Sequence, residues 1–122
     1  KEPGILEEWE KDEHYSKLLK AHEGEPLFVL HDGPPYANGN LHAGTGMNRV
    51  IKDIINRSHA MNGYYTPFFP GWDTHGLPIE NAIQKLGVNR KEMPASEFRK
   101  KCEAYAYEQI EIQKSTMKRL GT

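Results

Sequence analysis

Cysteine is nearly absent: Cys102 is the only one in 122 residues. That excludes an internal disulfide and a cysteine-built zinc module, and a lone thiol fits a reducing compartment, so a cytoplasmic setting is expected. No apolar run approaches the roughly 20 residues that cross a bilayer, and no charged-then-apolar leader opens the chain. A soluble protein with no membrane partner is expected. An excess of positive charge is missing too. Sixteen Lys and Arg against seventeen Asp and Glu leave a net charge of −1, so no bulk field announces a nucleic-acid surface and any such partner has to be argued from a site. Internal repeats and low-complexity tracts are absent. Aromatic residues are 10% of the chain and the mean hydropathy is −0.77, which leaves material for only a modest core.

What is present suffices for one domain. The chain starts at Lys1 rather than Met and stops at Leu120-Gly121-Thr122 straight after a helix-like run; both ends read as cut, and a piece of something longer is expected. Ile5, Trp9 and Leu19 fall at helical spacing among many charges and predict a surface helix that Gly24 ends. Pro26-Leu27-Phe28-Val29-Leu30 reads as a buried strand leading into the turn-rich loop Asp32 to Asn40. Met47, Val50, Ile51, Ile54, Ile55 and Met61 recur with helical periodicity and predict an amphipathic helix that Gly63 stops. Tyr64 to Phe69 reads as a second extended segment, although Pro67 lacks the N–H that a central strand uses. Strand, loop, helix, strand at this spacing is a βαβ unit with its loop at the carboxyl end of the first strand, where ligands of open parallel sheets bind. A short helix is expected over about 77–86 and a long one over about 94–119. Pro94 suits the first turn of the long helix, Phe98, Cys102, Tyr105, Gln109 and Ile112 line one face, and Ile110, Met117 and Leu120 extend it.

The chemistry concentrates in two strings. Between Gly33 and Asn48 a Gly- and Pro-rich loop meets a helix start, and a helix N-terminus offers unpaired N–H groups and partial positive charge to an anion such as a phosphate. Gly44 carries no side chain to keep a ligand from the backbone, while His42 and Thr45, three apart, share a face and both hydrogen-bond. Local pattern alone serves equally a turn with a capping residue. Other signals have structural explanations. His31, His59 and His75 lack the spacing of a zinc site, so no metal ligand is assigned. Trp72 serves a core as readily as a ligand, and Arg99-Lys100-Lys101 reads as a solvated helix face.

Taken whole, His31-Asp32-Gly33-Pro34-Pro35-Tyr36-Ala37-Asn38-Gly39-Asn40-Leu41-His42 resembles the signature region of class I aminoacyl-tRNA synthetases, and Pro70-Gly71-Trp72-Asp73-Thr74-His75-Gly76-Leu77-Pro78-Ile79-Glu80 resembles the second signature of their isoleucine branch. The resemblance implies an α/β fold: the N-terminal half of a Rossmann-like (HUP-type) parallel-sheet domain, with residues 1–25 a helical extension and 26–122 the first half of the aminoacylation domain, ending in the long helix. It implies an ATP-dependent, AMP-forming ligase that makes isoleucyl-adenylate and passes it to tRNA(Ile). His42 and Thr45 fall on the family's His-x-Gly-His motif as catalytic positions, with His42, Gly44, Thr45 and Asn48 toward ATP. The carbonyl of Gly33, the ring of Pro34 and the carboxylate of Asp73 fall around isoleucine, Asp73 facing its ammonium group. Magnesium is expected to arrive with ATP rather than on a protein-bound site, and the enzyme is expected to be a monomer. Thr45 departs from the motif, whose second histidine it replaces. It donates one hydrogen bond but never becomes cationic, and a lost, well-aimed donor costs on the order of a hundredfold in rate. Two rival readings remain: a nucleotide-binding module without ligase activity, and a small nucleotidyltransferase, against which the Gly71 to Glu80 string argues.

Overall fold

The structure, a computed structural model, describes all 122 residues. It contains the helices α1 (Glu2–Lys11), α2 (His14–Ala21), α3 (Ala43–Met61), α4 (Leu77–Lys85) and α5 (Ala95–Leu120), with one 3-10 turn at Arg90–Glu92. These fall into two compact units. The first comprises Lys1–Asp32, His42–Pro70 and Met117–Thr122; the second comprises Gly33–Leu41 and Gly71–Thr116.

In the first unit the expected single N-terminal helix is two. Glu13 takes φ 49°, ψ 42°, a left-handed conformation that costs a residue with a Cβ about 1 kcal/mol and interrupts the helix between α1 and α2. Trp9 and His14 stack across the break with centroids 5.8 Å apart, and the Arg57 guanidinium lies 5.2 Å over the Trp9 ring. Ion pairs from Glu10 to Lys118 and from Glu2 to Arg119 join α1 to the C-terminal turn.

The expected parallel sheet is not formed. The place where two strands were expected to meet carries one isolated parallel bridge instead, Leu27 with Tyr65 in the first unit; a second, Tyr36 with Asp73 in the second unit, falls where no strand was expected. Prolines and captured donors account for this. The first bridge consists of Tyr65 N–H to Pro26 O at 3.0 Å and Phe28 N–H to Tyr65 O at 2.9 Å. Its continuation would need an N–H from residue 67 on one side and from residue 26 on the other, and both are prolines. The second bridge, Ala37 N–H to Asp73 O and Asp73 N–H to Pro35 O, both 2.9 Å, would continue through the amides of Pro35, Gly39 and His75. Pro35 has none, Gly39 N–H donates to Gln109 Oε1 at 3.0 Å, and His75 N–H donates to Asp73 Oδ1 at 3.1 Å. The extended 64–69 segment is held instead by Tyr15, whose hydroxyl accepts from Phe68 N–H and donates to Phe68 O.

Helix α3 forms where the periodicity places it, but it buries a different face. Arg49, Asn56 and Ala60 are buried, whereas Met47, Ile51, Ile54 and Met61 are exposed, Met61 to 86%. The buried face is polar because it has partners: Arg49 and Lys52 both pair with Asp32, and the His59 ring stacks on Phe28 at 3.6 Å while its Nδ1 bonds Ile55 O at 2.9 Å.

The second unit builds its core from Ala37, Ile79 and Ala106, with Trp72, Cys102, Tyr105 and Ile110 packed around them. Phe98 and Met117 of α5 are buried as the apolar stripe suggests, whereas Ile112 and Leu120 are exposed. Gln113 is 2% exposed and fully used. Its Nε2 donates to Tyr36 O (3.1 Å) and Gly39 O (2.8 Å), and its Oε1 accepts from Trp72 Nε1 (2.9 Å). Tyr105, Gln109 and Gln113, four residues apart on one helix face, thus fasten the Gly33–Leu41 loop to α5.

Candidate functional site

In the first unit the candidate residues gather at the start of α3. His42 is its N-cap, with an extended backbone (φ −85°, ψ 162°) and a side chain that accepts from Thr45 N–H. Nδ1 is 3.2 Å from that nitrogen, and Nε2 is 3.1 Å from Thr45 Oγ1. The amides of Ala43 and Gly44 belong to the first turn, which has no intrahelical acceptor, and both residues are exposed. An anion meets two backbone donors and the positive end of a 19-residue helix there. Gly44 also stands close to the cap: a Cβ on it would lie 3.1 Å from His42 Cε1 and Nδ1, tighter than ordinary contact, so a side chain there would press on the capping ring. Asn48 stands exposed further along the helix.

The other three candidates, Gly33, Pro34 and Asp73, lie in the second unit. Gly33 and Pro34 open the loop and are exposed, whereas Asp73 is half-buried. The bridge to Tyr36 fixes the backbone of Asp73, and its Oδ1 takes the His75 amide, which orients the carboxylate. A carboxylate held this way is suited to an ammonium group, since the paired backbone and the short turn settle its position before any ligand arrives. Trp72 is a packing residue, with its indole N–H on Gln113. A cavity of about 710 Å³ starts beside Asp73 at Thr74 and His75 and is floored by Ile79, Phe98 and Ala106. Cys102 also lines it; burial first, then the Glu80 carboxylate, push its thiol above the ordinary range, with Arg90 opposing.

Sequence reasoning missed one cluster. Asp32 is clamped by Arg49 and Lys52 of α3, and the side chains of Asp32 and Arg49 are 8% and 5% exposed. Arg49 Nη2 and Asn56 Oδ1 remain buried without a hydrogen-bond partner. The only signal in the sequence was an acid ahead of a helix with cations three apart, a pattern that solvated helices share.

Residues 4–122 match the family model described as tRNA synthetases class I (I, L, M and V), and the chain belongs to that family. Within it, the similar curated proteins are isoleucine–tRNA ligases: the Staphylococcus saprophyticus enzyme is 62% identical over 121 residues, that of Macrococcus caseolyticus 59%, and that of Staphylococcus aureus 55%. Each comparison covers 99% of this chain and 13% of the relative, so the chain spans about an eighth of their length. Among solved structures, the LeuRS of an Agrobacterium radiobacter K84 LeuRS-tRNA-LeuAMS ternary complex superposes with a TM-score of 0.76 at 24% identity, over 98% of this chain and 13% of that one. The fold is therefore that of a class I synthetase segment, even though the pairing in this chain stops at single bridges.

Proposed function

We propose that the chain supplies part of the adenylation site of an isoleucine–tRNA ligase. The observation that carries this reading is the identity to isoleucine–tRNA ligases along 99% of the chain, and the histidine-capped helix start supports it. In the reaction an isoleucine carboxylate oxygen attacks the α-phosphorus of ATP, the bond to the pyrophosphate oxygen breaks, and isoleucyl-adenylate later passes its acyl group to the terminal ribose of tRNA(Ile). Little proton transfer is needed, so positioning and charge stabilisation dominate. The α3 start, with His42, Gly44, Thr45 and Asn48, takes the ATP phosphates. The Gly33 carbonyl, the Pro34 ring and the Asp73 carboxylate take isoleucine, Asp73 pairing with its ammonium group. Magnesium is carried by the nucleotide's own oxygens, which suits a hard cation that keeps several waters. Residues 1–25 act as a helical extension to the part that binds substrates, and the enzyme works as a cytoplasmic monomer.

Titrating the 122-residue chain with ATP and with isoleucine tests this. Saturable ATP binding that perturbs residues 42–48, together with isoleucine binding lost in Asp73→Ala, is the expected result. Absence of saturable ATP binding would refute the reading. ATP binding that no isoleucine response accompanies would instead select a nucleotide-binding module without ligase activity.

A further inference from the structure

Gly33 and Pro34 are exposed, and a Cβ added to Gly33 would meet no atom within 4 Å. Packing around Gly33 therefore does not hold it, and its placement comes from the residues on either side. On the far side the Pro35 carbonyl accepts from Asp73 N–H at 2.9 Å. On the near side stands Asp32, whose carboxylate oxygens take one cation each, Lys52 on Oδ1 and Arg49 on Oδ2. With both oxygens occupied and the side chain 8% exposed, Asp32 is held in one orientation. Arg49 depends on it in turn, since its Nη2 is buried without a partner. The stretch between the two anchors is short and stiff. Rings fix φ at Pro34 and Pro35, and each proline confines the residue before it to extended conformations, so the direction set at Asp32 is carried into Gly33 and Pro34.

We infer that Asp32, clamped by Arg49 and Lys52, is a positioning residue for isoleucine that acts through the Gly33 carbonyl and the Pro34 ring. The inference rests on the isoleucine reading above and adds to it a residue that touches no substrate. It also gives the buried cluster a task. Ion pairs taken out of water gain little stability over apolar residues of the same volume, whereas two charge-assisted bonds on one carboxylate fix a direction. A carbonyl and a ring already aimed at the ligand spare binding the cost of ordering them.

Two measurements on the 122-residue chain test it. Lys52→Met is the milder variant, because the Lys52 side chain is 17% exposed and Arg49 keeps its bond to Asp32; Asp32→Asn keeps the shape, removes the charge and should show the same changes more strongly. Backbone ¹⁵N relaxation should give Gly33 an order parameter near the rigid value of about 0.85 that falls in Lys52→Met, while Gly39, whose N–H is held by Gln109, stays unchanged. An unchanged Gly33, or an equal fall at Gly39, overturns the inference whatever isoleucine does. In titrations Lys52→Met should lose roughly two- to tenfold in isoleucine affinity, the range of one net hydrogen bond, with ATP affinity unchanged, and Lys52→Arg should recover most of the loss. ATP and isoleucine affinities that fall in equal proportion would mean a merely structural cluster and would contradict the positioning role. No isoleucine binding by the unaltered chain would overturn the isoleucine reading, and the Gly33 order parameter would still decide whether the clamp holds the loop.

Discussion

Asp32 shows how far a single residue's role can lie from what its neighbours in sequence suggest. It sits 17 residues from Arg49 and 20 from Lys52, and nothing local marks the three as a buried cluster. Removing one member of such a cluster leaves uncompensated buried charge, at a cost of about 3–5 kcal/mol. Asp32→Ala should therefore lower the urea unfolding free energy by at least about 3 kcal/mol, whereas Asp12→Ala, whose Lys17 partner is exposed, should change it far less; equal effects would contradict the burial of the clamp. Cys102 gives a second test. Burial and Glu80 raise its thiol above the ordinary value, so the folded chain holds that proton more firmly than the unfolded one. Its contribution to stability is complete below the ordinary thiol range and is lost as pH rises through the raised value. Iodoacetamide should accordingly react with Cys102 in the folded chain more slowly than with an unstructured cysteine peptide at pH 8, and an equal or faster rate would contradict the shift. By contrast the start of α3 at His42 was legible in the sequence, because a Gly- and Pro-rich loop running into an apolar helical periodicity marks a turn with a capping residue.

At the scale of elements, helix positions were readable and helix faces only partly so. Periodicity located α3 because apolar side chains at three- and four-residue steps favour one helix whichever side is covered. Burial is decided by partners, and those of α3 are Asp32 and Phe28, which meet its polar side. The break in the N-terminal helix was not legible, because Glu13 gives no sign of a left-handed conformation. The strands failed for a reason that one of them displayed: Pro67 lacks the donor that the Leu27 to Tyr65 bridge would need in order to continue. Pro67→Ala supplies that amide. The new N–H should become protected from hydrogen exchange by bonding Phe28 O, with the protection of Tyr65 N–H rising alongside; an unprotected amide at position 67 of the variant would mean that something other than the missing donor limits the pairing.

Across the whole molecule, two long strings carried the family assignment, and the match over residues 4–122 agrees with them. The two units were not legible, because the first gathers three separate stretches of chain and the second two, and contacts that join distant stretches leave no local periodicity. The central claim is that these residues hold ATP and isoleucine for adenylation. It is tested most directly in the Staphylococcus saprophyticus isoleucine–tRNA ligase, by exchanging its matching 121-residue segment for this chain and measuring isoleucine-dependent exchange of pyrophosphate into ATP, with circular dichroism and thermal melting used to establish that the chimera is folded. The account predicts exchange that disappears with Asp73→Ala and increases, by up to about a hundredfold, with Thr45→His, which restores a second histidine donor. A folded chimera that shows no exchange with either threonine or histidine at position 45, or whose exchange survives Asp73→Ala, would contradict it.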